Sequence, residues 1–143
     1  MDKSVISWPL DPITQSSLRR WLGDVFGLSY GKYTPTLTNV ANLDGSTAYE
    51  CQYMRIGSVV QVSGKVDINP TATAATQLGI SLPFASNIGA AEDCAGVASA
   101  SLVTDNPAAI IGDATNNRAE LNYVAVSVAN HAMYFSFMYE ILT

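Results

Sequence analysis

Charge is what this 143-residue chain has least of: Asp, Glu, Lys and Arg make up 13% of it, against about 25% in an ordinary soluble domain. Hydrophobic residues make up 48%. A surface so poor in charge has trouble covering itself with polar groups, which implies burial against other subunits or a larger assembly. Basic residues are the scarcer sign, 7 against 12 acidic, for a net charge of −5. That balance excludes non-specific nucleic-acid binding, which needs Lys and Arg to neutralise phosphates. It also argues against attachment to an anionic membrane. Long apolar runs are missing too, since polar residues interrupt each one well before the roughly 20 residues that span a bilayer. Met1-Asp2-Lys3 leads into no continuous apolar core, so no secretory signal is read and synthesis in the cytoplasm is expected.

Metal ligands and nucleophiles are equally thin. There are two cysteines, Cys51 and Cys94, and one histidine, His131. Their wide spacing matches no zinc pattern. Two thiols without an export signal point to reduced, buried side chains rather than a bridge. No serine sits in a Gly-x-Ser-x-Gly elbow that His131 could serve. The segment from Gly57 to Lys65 ends in Gly-Lys, but the spacing is wrong for a phosphate-binding loop. Glu92 and Asp93 stand beside Cys94, and acids oppose thiolate formation. Asp105, Asp113 and Glu120 could meet at one end of a β domain as oxygen ligands for calcium, without any supporting ligand spacing. No catalytic residue, cofactor or metal is therefore expected, and the chain does not read as an enzyme.

What is present is β structure. Residues 47–68 read as two strands joined by a tight turn at Gly57-Ser58. Val60, Val62, Val66 and Ile68 share one face of the second strand, while Gln61, Ser63, Lys65 and Asp67 share the other, so one face is buried and one wet. Residues 33–40 make an earlier strand with Pro35 near its start or edge, and Asp44-Gly45 a turn. Further strands are expected at 77–82, 94–103, 108–113, 119–128 and 133–142. Asn116-Asn117 and Asn130-His131 join the last three, because Asn tolerates the positive φ of hairpin turns. The expected fold is mostly β: an antiparallel β-sandwich, jelly-roll-like, preceded by a short amphipathic helix.

That helix is expected at about residues 13–26, with Asp11 as N-cap, Pro12 at the first helical position and Gly27 as the stop. Leu18, Trp21, Leu22, Val25 and Phe26 form one apolar stripe along it. Trp8 precedes it in a sticky extended peptide. Both tryptophans of the chain lie here, and Trp is a favoured interface anchor. The stripe packs on its own domain or anchors the chain to a partner. Residues 1–30 are read as an attachment segment and 31–143 as a β-sandwich knob. Two strands are apolar on both faces: Leu121, Tyr123 and Ala125 oppose Val124, Val126 and Val128, and Met133, Phe135, Phe137, Tyr139 and Ile141 oppose Tyr134, Met138 and Leu142. Such strands need a second cover, and Val124, Val126, Val128, Phe135 and Phe137 are the expected subunit interface.

From Gly31 onward, the runs Tyr33-Thr34-Pro35-Thr36-Leu37-Thr38-Asn39-Val40, Cys51-Gln52-Tyr53-Met54-Arg55, Val62-Ser63-Gly64-Lys65-Val66, Leu78-Gly79-Ile80-Ser81-Leu82-Pro83 and Gly112-Asp113-Ala114 resemble a C-terminal domain of bacteriophage and prophage tail fibres, tail spikes and head fibres. The resemblance implies a β-sandwich knob, usually a homotrimer, at the end of a virion appendage, and transfers no catalytic residue. Only about 30 residues precede the knob, which favours a short fibre or decoration protein bound by its N-terminus to a capsid or tail protein. The knob would contact the host surface. The rival class is a carbohydrate-binding, receptor-binding module that stacks a glycan on some of the seven tyrosines (30, 33, 49, 53, 123, 134 and 139). A depolymerase spike needs a carboxylate pair in a groove, to which the sequence does not point.

Overall fold

A computed structural model describes residues 15–101 and 105–143. A helical segment, α1 (Gln15–Phe26), leads into ten strands: β1 (Leu28–Tyr33), β2 (Leu37–Ala41), β3 (Leu43–Ala48), β4 (Cys51–Ile56), β5 (Val59–Pro70), β6 (Ala75–Ile80), β7 (Cys94–Ala100), β8 (Ala108–Asp113), β9 (Arg118–Val124) and β10 (His131–Glu140). They form one antiparallel sheet in the order β1-β4-β5-β10-β7-β8-β9-β6-β2, with β3 also paired to β5. The sheet curls around a single core. Long β5 is shared, since β4 pairs with its first half and β3 with its second. Because β3 follows β2 directly and pairs with β5, the β2 edge is brought back toward β5 at that corner, where Ser46 Oγ donates to Asn39 Oδ1 at 2.6 Å.

The alternation of β5 decides the inside. Val60, Val62, Val66 and Ile68 are all buried. Pairing then propagates that choice across the sheet. Val62 faces Phe137, Phe137 faces Gly96, Gly96 faces Ile110, Ile110 faces Leu121, and Leu121 faces Leu78. The bulk of β10 explains the smallness of β7. Phe135 stacks on Phe137 with ring centroids 5.8 Å apart; Phe135 faces Gly64 and Ala98 across the ladder, and Phe137 faces Val62 and Gly96. A Cβ on Gly96 would collide with the Ser136 carbonyl and with Phe137, so glycine is a packing requirement there. Phe135 and Phe137 are thus core residues of their own chain. They do not form the expected subunit interface, because in this register their face is the one that Val62 and Gly64 look onto.

Turn chemistry follows local residues at some corners and long-range contacts at others. Gly57 takes φ +61° in the two-residue β4–β5 turn, while Ser58 keeps a negative φ, the pattern of a II′ turn. Asn117 has φ +52° in the β8–β9 hairpin. Asn130-His131 makes no hairpin, because β9 pairs with β8 and β6 while β10 pairs with β5 and β7. Asp44-Gly45 is a register irregularity within β3 and not a turn. The turn is at Asn42, which has φ +57°. Its side-chain amide donates to Thr76 Oγ1 (2.7 Å) and to the Ala72 and Ala74 carbonyls, and its Oδ1 accepts from Thr71 Oγ1 and the Ala72 N–H. One side chain therefore ties the β2–β3 corner to the β5–β6 connection.

A strap from Leu82 to Asn87 closes the end of the core where β10 finishes. The Tyr139 hydroxyl donates to the Phe84 carbonyl at 2.8 Å and accepts the Phe84 N–H at 3.1 Å. Buried Ser86 donates to the Glu140 carbonyl and accepts the Leu142 N–H. Phe84 also meets Tyr53 edge-on at 5.1 Å and lies under the Arg55 guanidinium.

Candidate functional site

The outer face of the sheet is divided. Toward the β4–β5 turn, one ladder row runs Tyr30, Met54, Gln61, Met138, Ala95, Ile111 across six strands. Tyr30, Met54, Met138 and Ile111 are exposed, and so are Leu28, Ile56 and Val59 in the row beside it. Toward the other end of β5 the same face is polar and concave. A groove of about 470 Å³ is lined by Lys65, Asp67, Ser101, Ser127, Ala129, Asn130, His131 and Ala132.

The sequence places these groups through two independent rules. Period-two alternation puts Lys65 and Asp67 on the wet face of β5. The register of β10 then sets Ala132 opposite Asp67 and Tyr134 opposite Lys65. Tyr49, just past β3, reaches over both. Its hydroxyl donates to Asp67 Oδ2 at 2.6 Å, and the Lys65 ammonium lies 3.7 Å from its ring centroid and 3.4 Å from Asp67 Oδ1. Desolvation disfavours the Lys65 charge, but the bonds to Tyr49 and Asp67 outweigh it and hold the ammonium above its usual pKa. The opposite wall is built on Asp105, whose side chain is 0% exposed. Asp105 Oδ1 accepts the N–H groups of Asn106 and Val126, both at 2.8 Å. Its Oδ2 lies 3.3 Å from His131 Nε2, which the Tyr123 hydroxyl also faces at 3.4 Å. His131 Nδ1 donates to the Ala129 carbonyl at 2.9 Å, since a carbonyl can only accept. Both imidazole nitrogens are thus committed to protein partners, and His131 holds the wall rather than offering a base to the groove. Asp67 Oδ1 and Asp105 Oδ2 are buried oxygens with no hydrogen-bond partner among the described residues.

The expected site residues fall in different places. Val124, Val126 and Val128 are exposed, each at 54%. Leu18, Trp21 and Val25 of α1 are exposed as well. Trp8 lies outside the described residues, as do the side chains of Leu22 and Phe26. Asp105, Asp113 and Glu120 do not converge. Asp113 instead holds Arg118 (2.9 Å) and the Asn116 amide in the β8–β9 hairpin. Among the described residues no group of three or more His, Cys, Asp and Glu side chains is placed to hold a metal ion. Cys51 and Cys94 are free and buried, and burial pushes the Cys94 thiol up to about 12. Lys65 and Asp67 were legible as a wet face but not as a groove wall, because Tyr49, Asn130 and His131 join them only through the sheet order.

No protein-family model, no curated protein and no solved structure matches this chain.

Proposed function

We propose that this chain is a non-enzymatic bacteriophage virion protein, a short homotrimeric fibre or decoration protein. Its N-terminal segment fixes it to a head or tail protein, and its β domain is the displayed, sandwich-like knob, with the amphipathic helix as part of the anchor. The observation that supports this reading best is the exposed apolar row Tyr30, Met54, Met138 and Ile111 on a strongly paired sheet whose inner face is already filled. Together with 13% charged residues, this makes a surface suited to burial between copies or against a larger assembly. Val124 at the end of β9, Val126 and Val128 beyond it, and Leu18, Trp21 and Val25 on α1 are further exposed apolar residues.

Light scattering of the purified chain at micromolar concentration should give a trimer, and a well-folded monomer would sink the trimer. Particle incorporation tests the anchor. Because β1 begins at Leu28 and pairs with β4 along its length, the informative deletion ends at Gly27 and leaves the sheet whole. That shortened chain should fold and associate but fail to join the particle. Trp8→Ala with Trp21→Ala should weaken incorporation and leave the melting of the β domain nearly unchanged, since interface anchors contribute about 2 kcal/mol or more each. A shortened chain that cannot fold would return the N-terminal segment to the core.

A further inference from the structure

We propose that the groove between β5 and the β9–β10 connection is a saccharide-binding site that takes a neutral hexose-type unit of a glycan. This inference does not depend on the virion reading.

Four observations lead to it. The groove is concave and of a size at which small-molecule clefts begin. Its polar groups mix both hydrogen-bonding characters: Asp67 accepts, Lys65 donates, and the Asn130 amide and the Ser127 hydroxyl do both. A sugar hydroxyl needs that mixture, because each one donates and accepts. The two charged groups are oriented before any ligand arrives, since Tyr49 bonds Asp67 and its ring lies against the Lys65 ammonium. Orientation in advance lowers the entropy lost on binding. Finally, an exposed aromatic residue adjoins the groove: Tyr134 is 54% exposed and is the direct cross-strand neighbour of the groove-lining Lys65 on the same face. A pyranose has an apolar C–H face and a polar rim, and this pairing of an exposed ring with a carboxylate, an amide and an ammonium is complementary to both.

The same features weigh against other occupants. Lys65 is already paired with Asp67, so among the described residues lining the groove no lysine or arginine is left free for a phosphate or sulfate, and the chain's net charge of −5 repels polyanions. An extended peptide would need a free strand edge to add to a sheet. Here β5 and β10 are each paired on both sides.

The test uses the full chain, isotopically labelled, titrated with the methyl glycosides of glucose, galactose, mannose and N-acetylglucosamine at tens of millimolar. At least one should shift the amide resonances of Lys65, Asp67, Asn130 and His131 and show saturation transfer from the protein. Tyr134→Ala and Asp67→Asn should each weaken that binding about tenfold or more, while Ile111→Ser, on the apolar row, leaves it unchanged. If Asp67→Asn does not fold, Tyr134→Ala and Asn130→Ala decide the matter alone. The proposal is overturned if no glycoside of the panel perturbs the groove. It is equally overturned if the shifts gather elsewhere, if the variants bind like the parent, or if only a sulfated oligosaccharide binds.

Discussion

Both ends of β5 present a wet face to the outside, yet they are different surfaces. At Val59 and Gln61 the neighbours are Ile56, Met54 and Met138, and the face is apolar and open. At Lys65 and Asp67 the neighbours are Tyr49, Tyr134 and His131, and the face is polar, cross-linked and concave. The inner face of the same strand is uniform, a run of buried valines and isoleucine. Burial fixes the inside by one rule along the whole strand, whereas what surrounds each outward residue depends on which strand the topology places beside it. Folding information and functional information are therefore separated on one strand, face by face.

The sharpest break of this comparison is on β10, where inward and outward residues are adjacent in sequence. Phe137 is 2% exposed and Met138 is 53% exposed. Phe137→Ala should cost about 3–5 kcal/mol of stability, because the ring is fully packed in the core and its β7 partner, Gly96, has no side chain with which to fill the gap. Chemical denaturation measures it. A loss below about 1 kcal/mol would mean that the ring is not a core element.

Asn42→Ala comes next. The substitution forces a Cβ-bearing residue without a polar side chain to keep φ +57° and removes every side-chain bond that ties the β2–β3 corner to the β5–β6 connection. A loss of about 2–3 kcal/mol is expected from the strain and the lost bonds combined. Asn42→Gly relieves the strain alone, so it should recover part of the loss, and thermal melts of the two variants separate the contributions.

The inside also predicts how the fold responds to alkali. Burial pushes Cys94 from its ordinary 9.0 up to about 12. Tyr139 is pushed by burial from 10.0 up to about 12, although the Phe84 backbone partly opposes the shift. Tyr33 and Tyr123 move upward for the same principal reason. All are acids held in the neutral form, so below about pH 9 folded and unfolded chains bind these protons equally and stability is at its full value. Above it the unfolded chain releases them first, and stability should fall as pH rises from about 9 toward 12. Denaturation midpoints measured across that range check the sign, and Cys94→Ala should flatten the lower part of the decline. Over the neutral range neither thiol should react with a maleimide until the protein is unfolded.

Much of the β framework is legible in the sequence. Residues 108–113 coincide with β8, and Gly57-Ser58 marks the β4–β5 turn, because alternation and turn residues act over a few positions. The corners that sequence misplaced are those set at a distance. Nothing near Asn42 announces that its partners lie at Thr71, Ala72, Ala74 and Thr76. The stretch 33–40 reads as one strand but breaks at buried Pro35 into β1 and β2, on opposite edges of the sheet. The groove was illegible for the same reason. Asp105 and His131 are separated by β8 and β9 and meet only because the chain after Val124 leaves the sheet before β10 begins. Both faces of β10 are apolar in sequence, so hydropathy alone could not say which one faces the core. The partner strand decides it, through Val62 and Gly64.

The smallest expected effect on stability is the most informative about the apolar end. Met138→Ser replaces an exposed side chain whose cross-strand neighbours are Gln61 and Ala95. An isolated domain should register this as a change within about 0.5 kcal/mol in denaturation, since nothing buried is uncovered. If the row Tyr30, Met54, Met138 and Ile111 is covered by another copy, the same substitution acts at a buried interface, and association should weaken by about tenfold or more while the melt of the dissociated domain stays put. Sedimentation at several concentrations, run beside Phe137→Ala, separates the cases. Phe137→Ala should lower stability at every concentration, whereas Met138→Ser should matter only where chains associate. If the two variants behave alike, the outward face of β10 does not act as a separate surface from its core.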